Sequence, residues 1–425
     1  MRAAVSPTPA DLVNPPEDVR AVKKEEYGQE SAGRIPELDG IRGIAIGMVL
    51  MHHYFYLAVQ ARPATALSYA LVSGRLMWSG VDLFFVLSGF LIGGILLDSR
   101  SSSNYFQVFY TRRFFRIVPI YAICVAGAFA LTWLFRLGVA GGLSWIVKDQ
   151  LPWIPYLVFL QNFWMAHKNT LGLFGLGVTW SLAVEEQFYL TLPSLIRFLS
   201  PRRLVAVVVA CIIAAPMLRI ALYARWPDHP LSWVTLMPCR ADALLLGVLG
   251  AIAMRDARWR AILASNQTTL RLALAVFAMG VGYLNLRAAS PYGPVMVTIG
   301  FTWLAAFYLC ILVYALTFHG SWIGWCLRWG WLGWLGSIAY GVYLLHEFVR
   351  VAFFGIIWSR PPEISSVAEL CVTILALAVT LVVCRVSWVY FEKPLIRRGH
   401  RARYYWSGAK IANRVGAPSA EASGS

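Results

Sequence analysis

Ten apolar stretches of about 20 residues constrain the fold of this chain more than any other feature. Each is long enough for an α-helix to cross the hydrocarbon core of a bilayer, and backbone polar groups inside lipid must be paired within the segment. Hydrophobic residues make up 59% of the sequence and charged residues 14%. We therefore predict an all-α polytopic membrane protein with about ten transmembrane helices. The stretches are residues 41–59, 76–97, 119–139, 180–199, 203–223, 238–254, 268–288, 294–318, 333–356 and 367–390.

The segments outside this apolar region are polar. Residues 1–34 contain prolines and no apolar signal-peptide core, so we predict a disordered cytoplasmic arm. Residues 35–400 form the predicted transmembrane domain, and residues 401–425 a disordered cytoplasmic tail. The apolar run 151–164 is broken by two prolines and is typical of an interfacial or re-entrant piece.

The basic residues show which ends face the cytoplasm. The net charge is +16, and lysines and arginines concentrate before the first span, after the last, and in alternate loops. The positive-inside rule then places both termini in the cytoplasm. Nucleic-acid binding is disfavoured because these cations lie in membrane-facing loops. The seven cysteines are scattered and predict no disulfide framework, and no metal site is predicted.

Arg42 and His53 lie on the first predicted span, eleven residues apart. Eleven steps of about 100° bring the two side chains to within roughly 20° of one face, about 16 Å apart along the axis. The arginine then marks one membrane surface and the histidine lies near mid-bilayer, where an ionisable group is usually functional. A snorkelling arginine with a merely packed histidine is the structural alternative. Asp39, three residues before Arg42, could pair with it.

Three further arginines follow the second span in the sequence TRRFFRIVP. On a helix Arg112, Arg113 and Arg116 present one guanidinium surface, because they are three and four residues apart. Guanidinium groups suit phosphate oxygens, which favours an anionic ligand at the cytosolic rim. An ordinary basic cluster that holds lipid headgroups is the competing interpretation.

Other spans carry polar groups at helical spacing. One stripe of the fourth span carries Ser181, Glu185 and Tyr189, with Glu186 beside them. One candidate ion-pair partner for the two carboxylates is Arg240. Asp82, at the outer end of the second span, is either functional or simply solvated there. Arg240 and Asp242 are predicted to form a buried pair. Tyr343 and His346 are three residues apart and share one helical face. The sequence FEKP at 391–394 is interpreted as a structural stop after the last span.

The order of these segments resembles the acyltransferase-3 family of integral membrane O-acyltransferases. The pieces that carry the resemblance are LDGIRGIAIGMVLMHH at 38–53, GVDLFFVLSGFLIG at 80–93, RRFFRI at 112–117, TWSLAVEEQFYL at 179–190, RADALLLG at 240–247, YGVYLLHE at 340–347 and FEKPL at 391–395. The family's Arg-x10-His pattern matches Arg42 and His53, its Arg-x-x-Arg pattern matches Arg113 and Arg116, and its span-four glutamate matches Glu185.

The resemblance implies about ten helices in a bacterial inner or plasma membrane. It also implies transfer of an acyl group from cytoplasmic acyl-CoA to a carbohydrate hydroxyl, and acetyl is the acyl group that we expect first. We expect Arg113 and Arg116, with Arg112 and Arg42, to hold the CoA phosphates and His53 to act as the general base. Glu185 would orient His53 or bind the acceptor, and Tyr189 or His346 would donate to the oxyanion.

Two other classes stay open at this point. A transporter or exporter of a glycan or lipid-linked substrate would also bury charges at mid-membrane. A non-catalytic assembly partner would tolerate loss of His53. A homo-oligomer also stays open.

Overall fold

The computed structural model describes residues 35–59, 74–137, 145–146, 150–173, 175–287 and 290–406. Regular structure in these ranges is helical, apart from one isolated bridge between Val59 and Ile364. Eight of the described helices are long and apolar enough to cross a membrane. The chain is therefore an all-α multi-pass membrane protein, as predicted. The predicted arm 1–34 and the part of the predicted tail after residue 406 lie outside the described residues.

The helices are numbered in chain order. They are α1 (Pro36–Leu50, continued by a π-helical turn at Met51–Tyr56), α2 (Gly80–Ser99), α3 (Tyr105–Arg136), α4 (Ile154–Leu157), α5 (Gln161–Lys168), α6 (Thr179–Phe198), α7 (Pro201–Arg225), α8 (Leu231–Thr235), α9 (Met237–Ala253), α10 (Ala257–Ser265), α11 (Gln267–Arg287), α12 (Phe301–Thr317, after a π-helical turn at Met296–Gly300), α13 (Trp322–Leu327), α14 (Gly330–Ser337), α15 (Ala339–Trp358), α16 (Val367–Ser387, continued by a π-helical turn at Trp388–Glu392) and α17 (Lys393–His400).

The predicted spans differ from these helices in several places. The predicted spans 41–59 and 180–199 are helical and correspond to α1 and α6. Neither helix is among the eight that are long and apolar enough to cross a membrane, because both carry several ionisable residues. The predicted span 333–356 is divided between α14 and α15, with a break at Ile338. Helix α3 starts at Tyr105, well before the predicted start at residue 119, so the arginine cluster lies on the spanning helix itself.

Glycines let α1 approach its neighbours closely. A side chain on Gly40 would overlap the Leu327 carbonyl of α13, and one on Gly43 would overlap the Leu332 carbonyl of α14. Such small-residue contacts are the usual means by which membrane helices pack backbone to backbone. The α1 segment that carries Arg42 is therefore held tightly against α13 and α14.

Ion pairs tie together α2, α7 and α9, and a cation–π contact links them to α12. Arg240 of α9 pairs with Asp82 of α2, and its guanidinium lies 3.8 Å from the centre of the Phe301 ring. Arg219 of α7 pairs with Asp242 of α9 at 2.9 Å. Asp82, Arg219, Arg240 and Asp242 are all 1% exposed or less. We call these four residues the paired network.

The paired network corrects three sequence predictions. Arg240 and Asp242 do not pair with each other, because residues two apart on a helix point roughly 200° apart. Arg240 is not the partner of Glu185 either, since it pairs with Asp82. Asp82 is not solvated at the helix end, because it is 1% exposed.

Candidate active site

A cavity of about 490 Å³ opens between α1, α2, α3, α6, α15 and α17. We call it the donor cavity, after the ligand that we propose for it below. Most of the residues singled out from the sequence meet there, although they come from four helices: Asp39, Arg42, Arg112, Arg113, Arg116, Glu185, Tyr189 and Tyr343 line its wall. His53, His346 and the paired-network residues Asp82, Arg240 and Asp242 are not among its lining residues.

The arginines of the donor cavity differ in how they are paired. Arg42 forms with Asp39 the ion pair that the i,i+3 spacing predicts, at 2.8 Å. Arg113 and Arg116 form no hydrogen bond or ion pair with any other residue that the structure describes. A half-buried guanidinium without a direct ion-pair partner is costly to desolvate. The cavity wall therefore holds two guanidinium groups whose hydrogen-bond donors have no partner among the described residues.

Arg112 is engaged differently from its neighbours. Its Nε and Nη2 atoms donate to the Ala402 carbonyl oxygen at 3.1 and 2.7 Å, and its guanidinium lies 5.1 Å from the centre of the Tyr404 ring. Sequence analysis assigned Arg112 to the ligand with Arg113 and Arg116. The structure keeps Arg112 in the cavity wall and also places it against the segment that follows α17.

Two tyrosines in the cavity wall already donate their protons. The Tyr189 hydroxyl donates to Glu185 at 2.8 Å and lies 2.5 Å from Ser88 Oγ. The Tyr343 hydroxyl donates to the Val178 carbonyl at 2.7 Å. Tyr189 is thus not a ready donor to an oxyanion, contrary to the sequence-based expectation.

His53 lies on the π-helical turn Met51–Tyr56, and such wide turns are frequent at functional sites. Its Nδ1 atom is 2.7 Å from Glu347 Oε1. Arg350 donates to Glu347 Oε2 and to the His53 carbonyl, at 2.8 Å each. The carboxylate that contacts His53 is therefore Glu347 of α15. Glu185, which was expected in this role, contacts Tyr189 instead.

His346 completes this group. Its ring centre is 4.9 Å from that of His53, and the side chain is fully buried. Its Nδ1 atom faces the carbonyl oxygens of Val342 and Tyr343 at 3.0 and 2.9 Å, and these groups can only accept. Nδ1 therefore carries the proton, and Nε2, which has no hydrogen-bond partner among the described residues, has the lone pair. A neutral His346 accepts a proton and does not donate to an oxyanion.

The same atoms satisfy the distances of a metal site. The ligand-type atoms of His53, His346 and Glu347 lie within 4.8 Å of one another. However, Arg350 already neutralises the Glu347 carboxylate at 2.8 Å. A metal cation would face this guanidinium across a shared ligand, so we interpret the group as a proton-transfer cluster. His53, His346, Glu347 and Arg350 are called the histidine cluster below.

One layer of aromatic rings separates the donor cavity from the histidine cluster. Tyr343 belongs to the cavity wall, and its ring centre is 6.2 Å from that of His346. Phe84, also in the wall, packs edge-on against Tyr343 at 6.3 Å. The His53 side chain lies beyond this layer and is 23% exposed. Tyr343 is therefore common to the cavity wall and to the surroundings of the histidine cluster.

Three residues of these sites were missed by sequence reasoning. Glu347 and Arg350 are three residues apart inside an otherwise apolar span, and this spacing was a usable signal. Glu392 is 4% exposed and lines the donor cavity. FEKP was interpreted as a stop, which is wrong because the helix continues through the π-helical turn Trp388–Glu392 into α17.

Comparison with known proteins gives the family. An acyltransferase domain model matches residues 35–389. A protein provisionally named peptidoglycan O-acetyltransferase in Bacillus subtilis strain 168 is 28% identical over 386 residues, which are 87% of this chain and 56% of that protein. The peptidoglycan O-acetyltransferase of Listeria monocytogenes is 24% identical over 392 residues, 89% of this chain and 58% of that protein.

A shorter match is to the O-acetyltransferase of Staphylococcus aureus strain NCTC 8325, 30% identical over 177 residues, which cover 40% of this chain and 26% of that protein. The chain spans somewhat over half the length of the first two relatives. No solved structure matches it. Since the domain model covers most of the sequence, the chain belongs to the acyltransferase-3 family.

Proposed function

We propose that this protein is a membrane O-acyltransferase that moves an acyl group, acetyl in the first instance, from cytoplasmic acyl-CoA to a hydroxyl of a cell-envelope carbohydrate. Two relatives are named for peptidoglycan, which makes a peptidoglycan sugar the first acceptor to test. The protein would act in the bacterial inner or plasma membrane, with both termini in the cytoplasm.

Binding of the donor is supported by the unpaired arginines. Arg113 and Arg116, with Arg42 beside them, would hold the CoA phosphates through charge-assisted hydrogen bonds. The cavity volume of about 490 Å³ is in the range of small-molecule sites. The pantetheine arm would extend along the cavity toward Tyr343 and Phe84, and movement of these rings would bring the thioester to the histidine cluster.

Proton transfer is supported by the contact between His53 and Glu347. When His53 Nδ1–H donates to the carboxylate, Nε2 keeps its lone pair and can take the proton of the acceptor hydroxyl. The hydroxyl oxygen attacks the thioester carbonyl, the C–S bond breaks, and the CoA thiolate leaves with the proton from the imidazolium. The products are the O-acyl ester and free CoA.

The single observation that carries the proposal is the 2.7 Å contact between His53 and Glu347, one aromatic layer away from a cavity with unpaired arginines. This arrangement would supply a general base for the acceptor hydroxyl and an anion site for the phosphates of the donor. A transporter does not need a general base beside an anion site.

The test is release of free thiol from acetyl-CoA by the purified protein with peptidoglycan fragments, together with mass spectrometry of the acceptor. We expect His53→Ala to lower the rate about 10²- to 10⁴-fold, the usual contribution of a general base, while CoA affinity changes little. Glu347→Gln should lower it less, because the imidazole stays in place but loses its charged partner.

The matched control is His167→Ala, because His167 is an exposed histidine outside the histidine cluster and its loss should leave the rate unchanged. Turnover of the His53→Ala protein at the wild-type rate would show that His53 is not the general base. Movement of a glycan across the membrane of vesicles without consumption of acetyl-CoA would show that the protein is a transporter and not an enzyme.

A further inference from the structure

Residues 401–406, which follow α17, lie across the start of α3; we call them the C-terminal strap. Asn104 Nδ2 donates to the Arg403 carbonyl at 2.8 Å, and the Tyr405 N–H donates to Asn104 Oδ1 at 3.0 Å. The Ser103 N–H donates to the Tyr405 carbonyl at 2.9 Å. These residues were predicted as part of a disordered tail. Backbone hydrogen bonds to the loop before α3 hold them in place instead.

The strap forms part of the mouth of the donor cavity. His400, just before the strap, and Tyr404 within it both line the cavity. Arg112 fixes this arrangement, since it holds the Ala402 carbonyl with two nitrogens and lies over the Tyr404 ring at 5.1 Å. The Tyr404 hydroxyl is buried and has no hydrogen-bond partner among the described residues. Tyr404 is thus a half-buried residue of the cavity wall, and its hydroxyl is unsatisfied.

An acyl-CoA has three chemically distinct parts that need separate surroundings. Its phosphates suit Arg113 and Arg116, and its pantetheine arm suits the apolar interior of the cavity. Its adenine base is a planar aromatic ring with hydrogen-bonding edges. Bases of this kind stack on aromatic side chains and on guanidinium planes, and this stacking contributes measurably to affinity. Tyr404 and Arg112 supply both kinds of surface at the mouth of the cavity.

We propose that the C-terminal strap forms the subsite for the purine base of the donor, with the base stacked against the Tyr404 and Arg112 pair. This inference rests on the proposed function, because it takes a CoA thioester as the donor. It also gives Arg112 a role distinct from that of Arg113 and Arg116: Arg112 positions the strap.

The test compares two ligands of the full-length protein in detergent: CoA, and 4′-phosphopantetheine, which lacks the nucleotide. Tyr404→Ala should weaken CoA binding about tenfold, within the range expected for loss of one stacking contact. Binding of 4′-phosphopantetheine should not change. Tyr404→Phe should keep most of the CoA affinity, because it retains the ring and loses only the hydroxyl.

The matched control is Tyr405→Ala, since the Tyr405 side chain is 66% exposed and only its backbone takes part in the strap contacts. Equal weakening of both ligands by Tyr404→Ala, or no weakening of CoA, would overturn the base subsite while the donor assignment stands. Failure of the wild-type protein to bind CoA would instead overturn the proposed function, and the subsite with it.

Discussion

Two sets of arginines in this protein differ in how their charges are paired. In the paired network, Arg240 and Arg219 each contact an aspartate from another helix. In the donor cavity, Arg113 and Arg116 come from adjacent turns of α3 and contact no carboxylate among the described residues. The residue type is the same, but Arg240 and Arg219 are at most 1% exposed, whereas Arg113 and Arg116 are half-buried. A carboxylate of the chain contacts each guanidinium in the first set and neither guanidinium in the second.

The difference separates a structural role from the binding role that we propose for Arg113 and Arg116. A guanidinium that pairs with a carboxylate from a neighbouring helix links the two helices, and loss of one partner leaves the other as an uncompensated buried charge. A guanidinium without a carboxylate contributes nothing comparable to packing. Its favourable interaction is completed when an anionic ligand binds. The two sets should therefore respond in opposite ways to the same kind of substitution.

The largest expected effect is on stability, in the paired network. Arg240→Ala leaves Asp82 buried and unpaired, and we expect a loss of about 3–5 kcal/mol in the free energy of unfolding. The measurement is thermal or denaturant unfolding of the protein in detergent. The double variant Asp82→Leu, Arg240→Met removes both charges and should recover much of this loss. If Arg240→Ala unfolds like the wild type, the network is not what holds α2 to α9.

The next effect is on ligand affinity, in the donor cavity. Arg113→Gln combined with Arg116→Gln should weaken CoA binding about 10- to 100-fold, as expected for the loss of charge-assisted hydrogen bonds. The unfolding midpoint should not fall, because neither residue has a described ion-pair partner to lose. Arg202→Gln, at an exposed position of α7, is the matched control and should change neither quantity. A stability loss equal to that of Arg240→Ala would erase the distinction between the two sets.

The smallest effect should come from salt. Raising the ionic strength from about 0.05 to 0.5 M should weaken CoA binding several-fold, because the cavity is open to solvent ions and the Debye length falls below 10 Å. The unfolding midpoint should respond much less, since the paired network is buried and poorly screened. CoA affinity that does not depend on salt would argue against recognition of phosphates by Arg113 and Arg116.

Sequence reasoning predicted the helical fold well because the cost of unpaired backbone in lipid leaves few other solutions. It also selected Arg42, Arg113 and Arg116, and the structure brings these three residues into one cavity. It succeeded for the local pair Asp39–Arg42, since helical geometry fixes which residues three apart are neighbours.

Sequence reasoning could not predict contacts between helices. The pairing of Asp82 with Arg240, or of His53 with Glu347, depends on how helices distant in sequence are rotated and packed, and spacing within one helix carries no information about that. Glu185 was chosen as the partner of His53 on family resemblance, whereas Glu347 was passed over although it follows His346 directly. A carboxylate and an arginine three residues apart in an apolar span would have been the better signal.

The aromatic layer of Tyr343 and Phe84 has a consequence for the cell as well as for the reaction. A water-filled passage lined by arginines, if it ran from the cytosol to the opposite face, would conduct small anions and dissipate the membrane potential. Under the proposed function, closure of this passage by the two rings between turnovers would let the protein bring a large cytosolic thioester close to the far side without acting as an ion leak. The same closure would keep water from hydrolysing the thioester while no acceptor is bound.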